Sequence, residues 1–178
     1  MNRSRSDLKP FTEIYGSLLG TPCWNAKLGH GSFLTFEFGN PHLEIRETQE
    51  SSEKVIENAQ RRLVSILGEW RLWIYCCNWR IFQHEDLLAH SESDRGQMTR
   101  AVEKLDGQAL KNIRLNPQNG STIFEFDLGG MLRTAPYTSQ LSENDEQWFL
   151  FDCSGYVLTL YANREFSYER ANKSQERE

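Results

Sequence analysis

Short apolar runs rich in aromatic and β-branched residues recur along this chain between polar and glycine-containing breaks, the pattern of extended strands. The densest stretch is Gly68-Glu-Trp-Arg-Leu-Trp-Ile-Tyr-Cys-Cys-Asn-Trp-Arg-Ile-Phe82, which holds three of the five tryptophans and two of the four cysteines. Extended, it sends Trp70, Leu72 and Ile74 to one side and Trp73 and Tyr75 to the other. Both sides are apolar, which predicts strands over 70–75 and 79–82 covered on two faces. Gly68-Glu69 predicts a two-residue hairpin with 62–67 as the antiparallel partner, and Cys77-Asn78 a second turn.

Further strands are predicted over 21–28, 32–38, 42–46, 109–115, 121–128, 131–134, 147–152, 156–162 and 166–168. The period changes to that of a helix in two places. One helix starts between residues 7 and 10, with Leu8, Phe11, Tyr15 and Leu18 on one face, and ends toward Gly20. The other comes after a cap at Ser91 or Ser93, with Met98, Ala101, Val102 and Leu105 at helical spacing. The polar segment 47–60 predicts a loop or a short helix around 53–60, and 84–90 a connection.

The pattern repeats. Gly31-Ser-Phe-Leu-Thr-Phe-Glu-Phe38 resembles Gly120-Ser-Thr-Ile-Phe-Glu-Phe126, and Trp70, Leu72, Cys76 and Trp79 match Trp148, Leu150, Cys153 and Tyr156. The expected architecture is α+β, mainly antiparallel β, in one domain over residues 1–178. Two diverged repeats, near 7–90 and 91–168, each supply a helix and about six short strands, forming a pseudo-symmetric sandwich or open barrel. Residues 1–6 and the charged 169–178 predict disordered tails.

Composition narrows the function classes. The formal charge of −5 and pI near 5.5 oppose nucleic-acid binding and favour a basic protein as partner. No apolar run predicts a signal peptide or a membrane span, so the expected location is the cytoplasm, with the cysteines reduced.

Candidate chemistry is thin. Cys76-Cys77 with His84 or His90 lacks the spacing of a zinc site, and core or turn cysteines explain it better. Glu37 and Glu125 occupy matching places between phenylalanines, where a water-facing glutamate is the expected arrangement. Ser91-x-x-Asp94 is explained by capping, and Gly129-Gly130 by a hairpin turn. No metal, cofactor, base or nucleophile set is expected. The aromatics exceed what one small core face needs, so Trp73, Tyr75, Trp79 and Tyr156 are the expected contacts of a partner or ligand. Glu143 and Asp145, in the acidic run 142–147, are expected to meet a basic partner.

The phrases Gly-Glu-Trp-x-Leu-Trp-Ile-Tyr-Cys-Cys-x-Trp (68–79), Ala-His-Ser-Glu-Ser (89–93) and Glu-Phe-Asp-Leu-Gly-Gly (125–130) resemble a family of small uncharacterised bacterial proteins. The likeness covers most of residues 10–165. It implies a bacterial cytoplasmic protein and no chemistry. The functional expectation is a non-catalytic protein-interaction module, an immunity-like inhibitor being one form of it. The alternative is a small-ligand binding protein with an aromatic pocket between the repeats.

Overall fold

A computed structural model of the chain describes residues 9–47, 62–137 and 145–171. In chain order the elements are α1 (Lys9–Gly16), β1 (Cys23–Leu28), β2 (Leu34–Phe38), β3 (His42–Arg46), β4 (Leu63–Leu67), β5 (Trp70–Ile74), β6 (Asn78–Gln83) and β7 (Asp86–His90). They continue with α2 (Arg95–Glu103), β8 (Leu110–Leu115), β9 (Thr122–Phe126), β10 (Gly130–Ala135), β11 (Glu146–Asp152), β12 (Tyr156–Tyr161) and β13 (Phe166–Arg170). The α+β class with antiparallel pairing is as expected, and the second helix buries Met98, Ala101 and Val102. Its N-cap is Asp94, whose side chain accepts from the Gln97 N–H, not either of the two serines. The segment 48–61, where a short helix was one expectation, and residues 1–8 lie outside the described residues. Strand β13 runs to Arg170, past the point where the charged tail was expected to begin, because an edge strand pairs through its backbone whatever its side chains.

The strands form a six-stranded sheet in the order β1-β2-β5-β11-β12-β13, a five-stranded sheet in the order β7-β6-β10-β9-β8, and a two-stranded ribbon, β3-β4. Two of the predicted turns are therefore corrected. Gly68-Glu69 does not fold β4 back on β5: β4 pairs with β3, while β5 lies between β2 and β11. Cys77-Asn78 is no hairpin either, since β5 belongs to the larger sheet and β6 to the smaller. The chain crosses between layers there, and Trp79 and Ile81 reach the core from the opposite side. The turns at Gly129 and Ser154-Gly155 do close hairpins, β9–β10 and β11–β12. Sequence reading also missed β7, whose Asp-Leu-Leu-Ala-His run lacks alternation; it pairs with β6 after a turn in which His84 adopts φ +55°.

The two sheets face each other across one core. In the larger sheet Phe36, Leu72, Leu150 and Leu158 are successive cross-strand neighbours; in the smaller, Phe124, Leu132, Ile81 and Ala89 are. All eight are buried. Trp148 crosses the gap, its ring 6.0 Å from that of Phe124 and its Nε1 donating to Thr122 Oγ1 at 3.1 Å. Helix α2 packs against β1, β6 and β7, and Ile14 and Tyr15 of α1 pack against the core. At one corner the sheets are stitched: Leu110 N donates to Thr21 O at 3.0 Å and Cys23 N to Gln108 O at 2.9 Å, about a Pro22–Ala109 bridge. The result is an open sandwich, not a closed barrel.

Candidate interaction surface

The ribbon is a continuation of the β2–β5 pair. Those strands are in register from Leu34–Ile74 to Phe38–Trp70, and pairing resumes at His42–Leu67, with three residues on one side opposing two on the other. That extra residue is a bulge, and Gly39 supplies the positive φ of +75° that it requires. Polar bonds fix the junction. Glu37 Oε2 accepts from the Gly68 N–H at 2.8 Å, Glu69 accepts from the Asn40 N–H at 3.0 Å, and Trp24 Nε1 donates to Gly39 O at 3.0 Å. Gly68 passes so close to β2 that a Cβ there would lie 2.4 Å from Phe38 O.

Glu37 was expected to face water. It is 6% exposed, because the junction folds over it, and burial pushes its carboxyl above the usual range; the Gly68 N–H and the Arg71 guanidinium pull the other way. Glu125, its counterpart on β9, lies in the other sheet and engages Arg114 and Asn112. The two carboxylates form no pair.

Beyond the junction no other described strand pairs with the ribbon. Leu43 faces Ile66, and Ile45 faces Val64, so four aliphatic side chains share one face. They are 63%, 57%, 53% and 59% exposed. Adjacent exposed aliphatics on a sheet of this kind mark an interaction site more often than single ones do. Sequence reading placed β3 and β4 correctly but gave them no role. The signal was present as two Leu/Ile/Val-rich runs, and only their mutual pairing shows that no other described strand pairs with them.

The predicted contact residues are dispersed. Trp73 and Tyr75 lie together on the outer face of the larger sheet, packed on Phe149 and Phe151; Tyr75 also meets Phe33, with ring centroids 4.3 Å apart. Arg71 sits over the Trp73 and Phe151 rings at 5.8 and 5.0 Å. A groove of about 350 Å³ opens there, lined by His30, Phe33, Thr35, Trp73 and Tyr75 among others. Trp79 is a core residue, 1% exposed, with Nε1 donating to Ser32 O at 2.7 Å. A side chain so enclosed meets no partner. Tyr156 stacks on Tyr168 at 5.3 Å, and Tyr168 donates to Asp152 at 2.8 Å, which clamps the β12–β13 edge. Asp145 is half-buried beside β11, its carbonyl accepting from Ala162 N at 2.8 Å, and Glu143 lies outside the described residues. Between the sheets, the cavity beside Trp148 is about 10 Å³, the room of one water at most.

The cysteines are spread through the fold. Cys23 and Cys77 are buried, donating to Leu105 O and Gln147 O; burial pushes the first thiol up to about 12 and raises the second further. Thiols held in this way are poor nucleophiles. Among the described residues no group of three or more His, Cys, Asp or Glu side chains could hold a metal ion, and no helix is long and apolar enough to cross a membrane.

These features define an α+β sandwich with a projecting aliphatic ribbon. No protein-family model, curated protein sequence or solved structure matches this chain.

Proposed function

We propose that this chain is a non-catalytic protein-interaction module, and that its partner docks on the β3–β4 ribbon. The observation that supports this is the row of Leu43, Ile45, Val64 and Ile66, exposed side by side on an arm with which no other described strand pairs. Burying one such side chain is worth roughly 1.5–3 kcal/mol, so docking here has a sufficient driving force. The net charge of −5 favours a basic partner, and an immunity-like inhibitor is one form of such a module.

A duplicated origin belongs to the same reading, with an equivalence that differs from the one read in the sequence. Leu18 and Leu105 each precede a glycine, Gly20 at φ +84° and Gly107 at φ +83°, and a strand. Strands β1-β2-β5 then correspond to β8-β9-β10, and each half sends its next strands, β6-β7 or β11-β12, into the other half's sheet. On this reading β3 and β4 are an insertion in one half only, as expected for an element added for binding.

The test is affinity purification of tagged protein from its native host, with the wild type beside a Leu43→Ser, Ile45→Ser, Val64→Thr, Ile66→Thr variant. A partner recovered stoichiometrically by the wild type and lost from the variant supports the reading; equal recovery overturns it. The groove beside Trp73 and Tyr75 favours a second reading, a small aromatic or amphipathic ligand. Its signature would be a shift of tryptophan fluorescence on a metabolite screen without any protein partner.

A further inference from the structure

The outer face of the five-stranded sheet carries a row that no single strand reveals. His90 on β7 is the register neighbour of Arg80 on β6, Arg80 of Arg133 on β10, Arg133 of Ile123 on β9, and Ile123 of Arg114 on β8. One line across the whole sheet is therefore His-Arg-Arg-Ile-Arg. His90 and the three arginines are exposed.

Like charges directly opposite one another destabilise an antiparallel pair. Here Arg80 faces Arg133, and no carboxylate lies between them. Arg114 bonds Glu125, while Arg133 lies 4.8 Å over the Phe82 ring and donates to Met131 Sδ at 3.0 Å. Arg80 makes no side-chain hydrogen bond or ion pair among the described residues. The neighbouring row on the same face runs Leu87, Phe82, Met131, Glu125 and Asn112, an apolar strip beside the cationic row that ends at the carboxylate holding Arg114.

We infer that this face is a second docking surface, separate from the ribbon, and that it takes an acidic protein segment: aspartate or glutamate side chains interleaved with aliphatic ones. Guanidinium groups bind carboxylates through paired hydrogen bonds, and Leu87 and Met131, on either side of the ring that Arg133 covers, receive the aliphatic side chains between them. Concentrating cations on one face of a chain of net charge −5 makes that face locally attractive to acidic groups. Nucleic acid fits less well. Phe82 is the one aromatic ring on these two rows, and Arg133 already occupies its face, so a base has no platform to stack on.

The experiment uses the full chain and fluorescence anisotropy, with a short labelled peptide of glutamate and leucine as probe. Beside it run the same peptide with glutamine for glutamate, and a short oligo-dT strand. The glutamate peptide binds the wild type, weakens with added salt, and loses about tenfold or more in affinity in the Arg80→Glu, Arg133→Glu variant. The ribbon variant binds it unchanged, which keeps this surface distinct from the first. The Arg80→Glu substitution alone leaves the melting temperature equal or raises it, since it replaces a like pair by an opposite one. Absence of binding to the wild type, equal affinity for the double variant, equal binding of the glutamine peptide, or tighter binding of oligo-dT each overturns the inference.

Discussion

Strands β2 and β9 carry the same Phe-Glu-Phe tripeptide, and each leads into an antiparallel hairpin, β2 with β5 and β9 with β10. The hairpin on β9 closes at once through Gly129. The hairpin on β2 instead bulges at Gly39 and continues as the ribbon. That one difference changes the chemistry of identical residues. Glu125 stays at the surface, bonded to Arg114, whereas Glu37 is roofed by the junction and holds the Gly68 N–H. Local sequence sets the strand; the segment C-terminal to it decides whether its polar face meets water.

The largest effect expected is from Gly68→Ala. Its Cβ would fall 2.4 Å from Phe38 O and 2.8 Å from Phe38 N, backbone atoms that cannot rotate away. Urea unfolding should show a loss on the order of 3 kcal/mol. Gly129→Ala in the other hairpin has φ +88° against it but meets the His84 side chain, which can move, so a loss of about 1–2 kcal/mol is expected. Equal costs would remove the distinction between the two hairpins.

Next comes the pair of glutamates. Glu37→Ala strands the buried Gly68 N–H, at an expected loss of about 1–3 kcal/mol. Glu125→Ala breaks an exposed ion pair and should cost less than about 1 kcal/mol.

A pH series sharpens the same contrast. Folding raises the Glu37 carboxyl, so the native chain binds its proton more tightly than the unfolded chain does. Its contribution to stability is therefore greatest below the ordinary carboxylate range and falls as pH rises from there through the raised value. Glu37→Gln abolishes that slope, and the stability difference between variant and wild type should move in the variant's favour from acidic to neutral pH. Parallel curves would show that Glu37 is not the group responsible. The smallest effect belongs to the ribbon face: Ile45→Ser should change stability by no more than about 0.5 kcal/mol, while partner binding falls.

Much of the fold was readable from composition along the chain, because aromatic and β-branched runs place β5, β9 and β11 within a residue or two. Helix α2 was legible from Met98, Ala101, Val102 and Leu105. Pairing was not legible. A glycine before a strand signals a turn or a close approach with equal force, and at Gly68 the close approach applies. Two-sided apolar strands likewise fit a hairpin or a crossing between layers, and Trp70–Ile74 followed by Asn78–Gln83 is a crossing. The candidate sites fared worse for the same reason. Trp79 is indistinguishable from Trp73 in sequence, yet one is core and the other lines a groove. The arginine row depends on the register of four strand pairs, and no window of sequence contains it.

The exchange of strands between layers has a consequence for synthesis. Strand β11 completes the middle of the larger sheet, next to β5, but leaves the ribosome long after it. Until then the growing chain carries a bare, tryptophan-rich strand edge, able to pair with any other extended segment nearby.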